Sequence, residues 1–315
     1  MRLMEKVRHT MKARRYALAT QKSYGSWIKR YLFFHELRHP IEMGAQEVIA
    51  FLNFLAVEKR VSASTQNQAL NALVFLYREV LQAPLPTDMK GLQAAHRRKR
   101  PPVVLTHEEA LAIIQAVEPG VRLVVQLMYG SGLRVGEAVG LRIKDVDLGN
   151  RRLLVFDAKQ RDRETILPQS LSAALEAQIE AVLDRFERDR RDGGGSVVLP
   201  EALHRKLKAD HDPRWQFLFP ASCLLLNPQT GLKGRWHLHE SSVQKAVKRA
   251  TVLYGVNKRV TCHTFRHTFA TQLLKTGTDI RTIQKLLGHA SVETTMIYTH
   301  VLDLGPYGVR SPIDV

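Results

Sequence analysis

Cysteine is scarce: Cys223 and Cys262 are the two in 315 residues. They allow at most one disulfide and cannot build a four-cysteine zinc site, which points to a reducing, intracellular compartment. No apolar run approaches the ~20 residues that span a bilayer, so no membrane partner is expected. The N-terminus, MRLMEKVRHTMKARRYALAT, lacks the continuous apolar core of a secretory signal. It is basic and amphipathic in the manner of a transit peptide, but the periodic pattern soon after it reads as mature structure. There is no G-x-x-x-x-G-K-[ST] phosphate loop and no internal repeat. Acids are also in deficit. Thirty Asp and Glu stand against 47 Lys and Arg, a net charge of +17 with a pI near 10.1. That balance says nothing of fold but favours a polyanionic partner. With 44% hydrophobic residues the chain has core material enough to exclude wholesale disorder. Its length suits two domains of ordinary size.

The first 85 residues read as helices alone. Tyr24, Trp27, Ile28 and Tyr31 fall at i, i+3, i+4 and i+7 and mark one apolar stripe. Val48, Leu52 and Leu55 mark a second helix, and Leu70, Leu73, Val74, Tyr77 and Leu81 a third. The third opens with SASTQNQ, a polar stretch suited to solvent or to nucleic acid. Residues 84–102 then bring three separated proline positions and the run HRRKRPP, so 86–103 reads as a basic linker. Arg97, Arg98, Lys99 and Arg100 are either solvated linker charges or cations laid along a phosphate backbone.

From 104 to 315 the pattern is mixed α/β. Thr106 and Glu109 form a capping box before a helix. A buried helix over 121–129 ends in Gly130-Ser131-Gly132. Short β-type runs at 151–156 and 164–167 flank a charged loop, as a hairpin would. A long helix over 170–190 is broken by Gly193-Gly194-Gly195. Three helices follow: one after Ser241 with Gln244 completing its capping box, one over 264–275, and one over 279–287 closed by Gly288. A last helical pattern, 292–300, carries Tyr298.

Metal-free cleavage of a phosphodiester needs fixed cations around the non-bridging oxygens, an in-line nucleophile and an acid for the leaving oxygen. Arginine suits the first task, because its planar fork donates two parallel hydrogen bonds and stays charged. A matching set occurs in order along the chain. Arg134 lies in GLRVGE, Lys159 at the tip of the expected hairpin, and His263 and Arg266 in HTFRH, three apart on one helix face. His289 lies in LLGH, and Tyr298 nine residues later. His263 and His267 at i, i+4 also raise zinc, but no Glu follows the first His as a metalloprotease helix requires. Asp145 and Asp147 form no evident two-metal cluster. Taken singly, each of these residues is as well explained by a surface or packing role; the order and spacing of the whole set carry the chemistry.

GLRVGE, HTFRHTFAT and LLGHASVETTMIYTH together resemble the signature of the tyrosine recombinases, with its R…K…H-x-x-R…H…Y set. The resemblance implies a helical, SAM-like core-binding domain (1–85) followed by a mixed α/β catalytic domain (104–315). It implies Tyr298 as the nucleophile that forms a 3′-phosphotyrosyl link to DNA, with no metal or other cofactor. Arg134, Arg266 and His289 would clamp the phosphate, Lys159 would act as general acid, and His263 would assist proton transfer or phosphate binding. Glu137 matches an acidic position that supports the site without reacting. Two departures are visible: Phe265 stands where leucine is usual, and Ala158-Lys159-Gln160 replaces the commoner Gly-Lys-Gly.

About fifty residues (191–240) separate the long helix from the next, more than a compact connection needs. They contain a short helical pattern over 200–207, then WQFLFPA and GLKGRWHLHE. With the ending THVLDLGPYGVRSP, this insertion resembles that of the integron integrases. That resemblance implies gene-cassette recombination at attachment sites, including folded single-stranded hairpins, by four subunits in the bacterial cytoplasm. Trp215, Pro220, Trp236, His237 and His239 are the candidates to receive unpaired bases by stacking, unless the two tryptophans form a satellite core instead. The alternatives are a phage-type or chromosome-resolving recombinase on duplex sites, a type IB topoisomerase, and a DNA-binding protein that has lost activity.

Overall fold

A computed structural model of the chain describes residues 3–86, 89–95, 102–156, 162–197, 199, 211–227 and 231–299. The chain divides into two compact units, Met1–Arg100 and Pro101–Val315, each with its own core.

The first unit is built from helices. α1 (Leu3–Ala13) buries Val7 and Met11, one turn apart, and was not anticipated from its sequence. α2 (Leu18–Phe34) buries Trp27, Ile28 and Tyr31, and α3 (Ala45–Val57) buries Val48, Phe51, Leu52 and Leu55. α4 (Ala63–Phe75) starts at Ser62, whose hydroxyl accepts the Thr65 amide, and continues into one π-helical turn over Leu76–Val80. Tyr31 and Tyr77 share a buried hydroxyl contact of 2.8 Å.

Two expectations for this unit need correction. The polar opening of α4 does not simply face outward. Gln68 accepts the Trp27 indole N–H at 3.1 Å, and Gln66 is buried. The Gln66 amide donates to the carbonyls of Leu52 (3.1 Å) and Gln93 (2.8 Å), and its oxygen accepts the Ala95 amide (2.8 Å). Asn53 makes a second pair, to the Gly91 carbonyl and the Gln93 amide. Residues 91–95, expected as linker, are therefore fastened to the helical unit. The physical reason is that a buried amide side chain needs partners, and the backbone of this segment supplies them. Arg97, Arg98, Lys99 and Arg100 lie outside the described residues.

In the second unit, α5 (His107–Ala116) carries the expected Thr106–Glu109 capping box. α6 (Pro119–Gly130) and α7 (Val135–Gly140) follow. β1 (Val146–Asp147), β2 (Arg152–Val155) and β3 (Arg163–Ile166) form an antiparallel sheet in that order, with Leu153 opposite Thr165 and Val155 opposite Arg163. Residues 157–161 at the hairpin tip, Lys159 among them, lie outside the described residues.

α8 (Ser172–Arg191) leads into the insertion, whose described part is sewn to the unit. Leu218 donates to the Leu141 carbonyl (2.8 Å), and Ile143 donates to that of Gln216 (3.1 Å). Arg235 grips Asp189 of α8 with two hydrogen bonds, 2.5 and 2.8 Å. β4 (Leu225–Leu226) pairs with β5 (Lys233–Gly234). The helix expected over 200–207 lies outside the described residues.

α9 (Glu240–Tyr254) is capped by His239, whose Nδ1 accepts the Ser241 amide at 3.1 Å. The cap is thus two residues earlier than the expected Ser241. α10 (Cys262–Lys275), α11 (Ile280–Leu287) and α12 (Val292–Met296) complete the unit. Tyr298 sits in the turn after α12 rather than on a helix reaching residue 300. Among the described residues no helix is long and apolar enough to cross a membrane.

Replacing Gln66 by leucine removes its hydrogen bonds to the backbone of Leu52, Gln93 and Ala95. A loss of about 1–3 kcal/mol in urea denaturation is expected, with faster proteolysis near residues 91–100; unchanged stability would show that the clamp contributes nothing net.

Candidate active site

The site is organised around a carboxylate. Glu137, on the first turn of α7, accepts the Arg134 backbone amide (2.7 Å) and one nitrogen of the Arg134 guanidinium (2.7 Å). Arg163, at the start of β3, grips both carboxylate oxygens at 2.9 and 2.7 Å and donates through Nε to the Leu286 carbonyl at 2.9 Å. The Arg266 guanidinium lies 3.6 Å away. Burial alone would raise the Glu137 pKa. The hydrogen bonds and charge of Arg163, the Arg134 amide and the charge of Arg266 outweigh it and hold the group down at about 2.

Arg266 is buried and aimed by two carbonyls, Gly132 (2.7 Å) and Leu287. Burial and the charge of Arg134 lower its pKa to about 10, which leaves it cationic at neutral pH. The carbonyl positions depend on two glycines. Gly132 has φ +67° and approaches the Phe269 ring so closely that a Cβ would lie 2.5 Å from it; Gly288 has φ +66°, and a Cβ there would lie 2.7 Å from the Arg163 side chain. Arg134 is the more open arginine, with 28% of its side chain exposed against 4% for Arg266.

His263 stands at the surface beside this cluster, its pKa lowered by partial burial and by Arg266 and Arg134. His289 follows the αL turn at Gly288. Its Nδ1 bonds to the buried Thr295 hydroxyl at 3.0 Å, which leaves Nε2 available to a ligand. Burial first, then Arg266, Arg134 and Arg163, depress its pKa to about 4. Tyr298 is 1% exposed, in a small core with Phe269, Ala270, Ile283 and Leu287. The His289 ring stacks on it at 6.3 Å, and His267 Nδ1 lies 3.0 Å from its hydroxyl. Burial raises the phenol's pKa, and the charges of Arg266 and Arg134 pull the other way. Arg134, Glu137, His263, Arg266, His289 and Tyr298 are thus brought together. Such a cluster can bind a phosphate through cations and offer it a phenolic oxygen.

Three participants were not anticipated in these roles. Arg163 and Thr165 lie two apart on the inward side of β3, and that alternation is the signal that a charge there is internal. His267 lies one helical turn beyond His263. Thr295 carries no signal beyond its place before Tyr298.

The five insertion candidates do not form one site. Trp215 is half-buried in a cleft of about 230 Å³ with Arg142, Lys144 and Phe156. The Lys144 ammonium lies 4.2 Å from the Phe156 ring and 4.5 Å from the Trp215 ring. Pro220 pairs with His237 and lines a separate cavity of about 240 Å³ with Gln178, Val182, Arg185, Phe219 and Leu238. Trp236 is 39% exposed, so neither tryptophan is a core residue, and His239 is engaged as the α9 cap.

Acid should weaken the fold in two windows. His267 and His289 have folded pKa values near 4, below the ordinary 6.5, so stability falls as pH drops from 6.5 to 4. Glu137 contributes stability above its ordinary 4.5 that is lost as pH falls toward 2. Glu137→Gln is expected to cost about 3 kcal/mol at pH 7 by urea denaturation and to flatten only the lower window; an unchanged acid profile would contradict this account.

Residues 103–304 match the phage integrase family, and residues 3–87 match the family's N-terminal SAM-like domain. The chain is 41% identical over 315 residues to a protein named integrase/recombinase from Escherichia coli, covering 99% of this chain and 93% of that one. The same figures hold for one from Pseudomonas aeruginosa. Tyrosine recombinase XerA of Thermococcus onnurineus is 31% identical over 294 residues, covering 90% of this chain and 84% of that one. In fold, the chain is similar to lambda integrase in a dimer bound to a core site, with a TM-score of 0.63, 20% identity and 98% of both chains covered. The chain therefore belongs to the phage integrase family of tyrosine recombinases.

Proposed function

We propose that this tyrosine recombinase is of the integron type, cutting and rejoining attachment sites so that gene cassettes are inserted and excised. The observation that carries the chemistry is the convergence of Tyr298 with Arg134, Arg266 and His289. In this reading the Tyr298 oxygen attacks the scissile phosphorus while Arg134, Arg266 and His289 hold the non-bridging oxygens. Lys159 delivers a proton to the departing 5′-oxygen, His263 assists proton transfer or phosphate binding, and Glu137 keeps the arginines in place. The 3′-phosphotyrosyl link conserves the energy of the phosphodiester, so rejoining needs no ATP and no cofactor takes part.

The integron assignment rests on the insertion. Its aromatic and proline side chains line two clefts, one of them with Lys144 and Arg142 at the rings. An aromatic face with an adjacent cation is a suitable receptor for an unpaired base beside its phosphate. Trp215 would serve one cleft, Pro220 and His237 the other, with Trp236 and His239 at the rim. The helical core-binding domain, the basic cluster Arg97, Arg98, Lys99 and Arg100, and the catalytic domain would grip DNA, four copies assembling at synapsis. A second reading, a phage-type or chromosome-resolving recombinase on duplex sites, is supported by the match to the phage integrase family and by the 31% identity to the tyrosine recombinase XerA.

The two readings part on substrate. Trp215→Ala and Trp236→Ala should each weaken binding of a folded cassette-site strand about tenfold or more, measured by gel shift, with duplex binding nearly unchanged. Equal losses on hairpin and duplex would favour the second reading.

A further inference from the structure

α10 presents three groups on one face, His263, Arg266 and His267, at i, i+3 and i+4. The first two have roles in the reading above, and His267 has none. It is nonetheless the side chain in contact with the attacking atom: its Nδ1 lies 3.0 Å from the Tyr298 hydroxyl, with the rings 5.6 Å apart. We infer that His267 is a further catalytic residue, the base that takes the Tyr298 proton during strand cleavage and returns it during rejoining.

The inference rests on Tyr298 being the nucleophile. A buried phenol with its pKa raised is protonated at neutral pH, so its proton must leave as the oxygen–phosphorus bond forms. In this role the O–H donates to Nδ1 and the imidazole proton sits on Nε2. As Tyr298 attacks, the proton passes to Nδ1 and the imidazole becomes imidazolium. The bond from phosphorus to the 5′-oxygen breaks on the other side and takes its proton from the general acid. On rejoining, the imidazolium reprotonates Tyr298 as the leaving group. The titratable and charged groups facing His267 are His263 and Arg266 on its own helix, His289 after α11 and Tyr298 after α12; Tyr129 of α6 packs on the same small core. Burial, His263 and Arg266 keep His267 neutral, with a pKa of about 4, and so in the acceptor form at working pH. The negative charge of the bound phosphate opposes that depression when the proton arrives.

Asparagine places an oxygen where Nδ1 stands, so His267→Asn keeps the hydrogen bond but cannot take the proton. On an attachment-site strand labelled next to the cut, His267→Asn should form covalent adduct about 100-fold more slowly at pH 7. Its rate should rise about tenfold per pH unit as phenolate becomes available. Installing 3-fluorotyrosine at position 298 should recover part of the loss, whereas a 5′-bridging phosphorothiolate, which relieves the general acid, should not. A uniform loss at every pH, unmoved by the fluorinated tyrosine, or no loss, would overturn the proposal. If Tyr298→Phe still forms adduct, the nucleophile assignment fails and this inference with it; if Tyr298→Phe is dead and His267→Asn is normal, this inference alone fails. Without DNA, imidazole nitrogen-15 NMR should show His267 Nδ1 unprotonated and shifted by Tyr298→Phe; a protonated Nδ1, or no shift, would equally overturn it.

Discussion

Guanidinium groups brought close together repel one another, by about 4 kcal/mol for two unit charges 4 Å apart at an effective dielectric of 20. Arg134, Arg163 and Arg266 stand together because the Glu137 carboxylate lies among them. Each is also tied to a different piece of chain. Arg134 begins α7, Arg163 begins β3 and reaches the Leu286 carbonyl, and Arg266 joins α10 to the carbonyls of Gly132 and Leu287. One buried carboxylate therefore holds the sheet, three helices and the two glycine turns in register. The geometry that a phosphate would meet is set before any phosphate arrives, which is the condition for electrostatic stabilisation without reorganisation.

The histidines and Tyr298 depend on that frame. Burial first, and then the neighbouring charges, keep His289 and His267 neutral, and Thr295 serves both sides: its hydroxyl holds His289, while its carbonyl accepts the Tyr298 amide. Burial of the phenol and the pull of Arg266 and Arg134 act in opposite directions on its proton. Tyr298 is thus kept protonated, with the His267 ring in contact with its hydroxyl.

The candidate site was legible in the sequence where residue type and spacing together limit the options. His263 and Arg266 share a helix face by arithmetic, and Gly288 closes α11 just before His289. Tyr298 was legible as a residue but not in its setting, because a five-residue α12 ends before it and the turn buries it. Arg163 was missed because its role is set by a partner 26 residues away, and no local pattern announces a bidentate contact. Gln66 looked like surface for a similar reason: its partners lie on residues 93 and 95, in a stretch whose prolines and charges read as linker. In the insertion, composition pointed to Trp215 and Pro220, but their separation into two clefts depends on backbone pairing that composition does not encode.

The most direct test of the account is to trap the covalent protein–DNA intermediate on a nicked attachment site, digest it and sequence the DNA-linked peptide. The account predicts one linkage, a 3′-phosphotyrosyl bond at Tyr298, absent in Tyr298→Phe and diminished in Glu137→Gln. A linkage at any other residue, or an undiminished adduct in Tyr298→Phe, would contradict it.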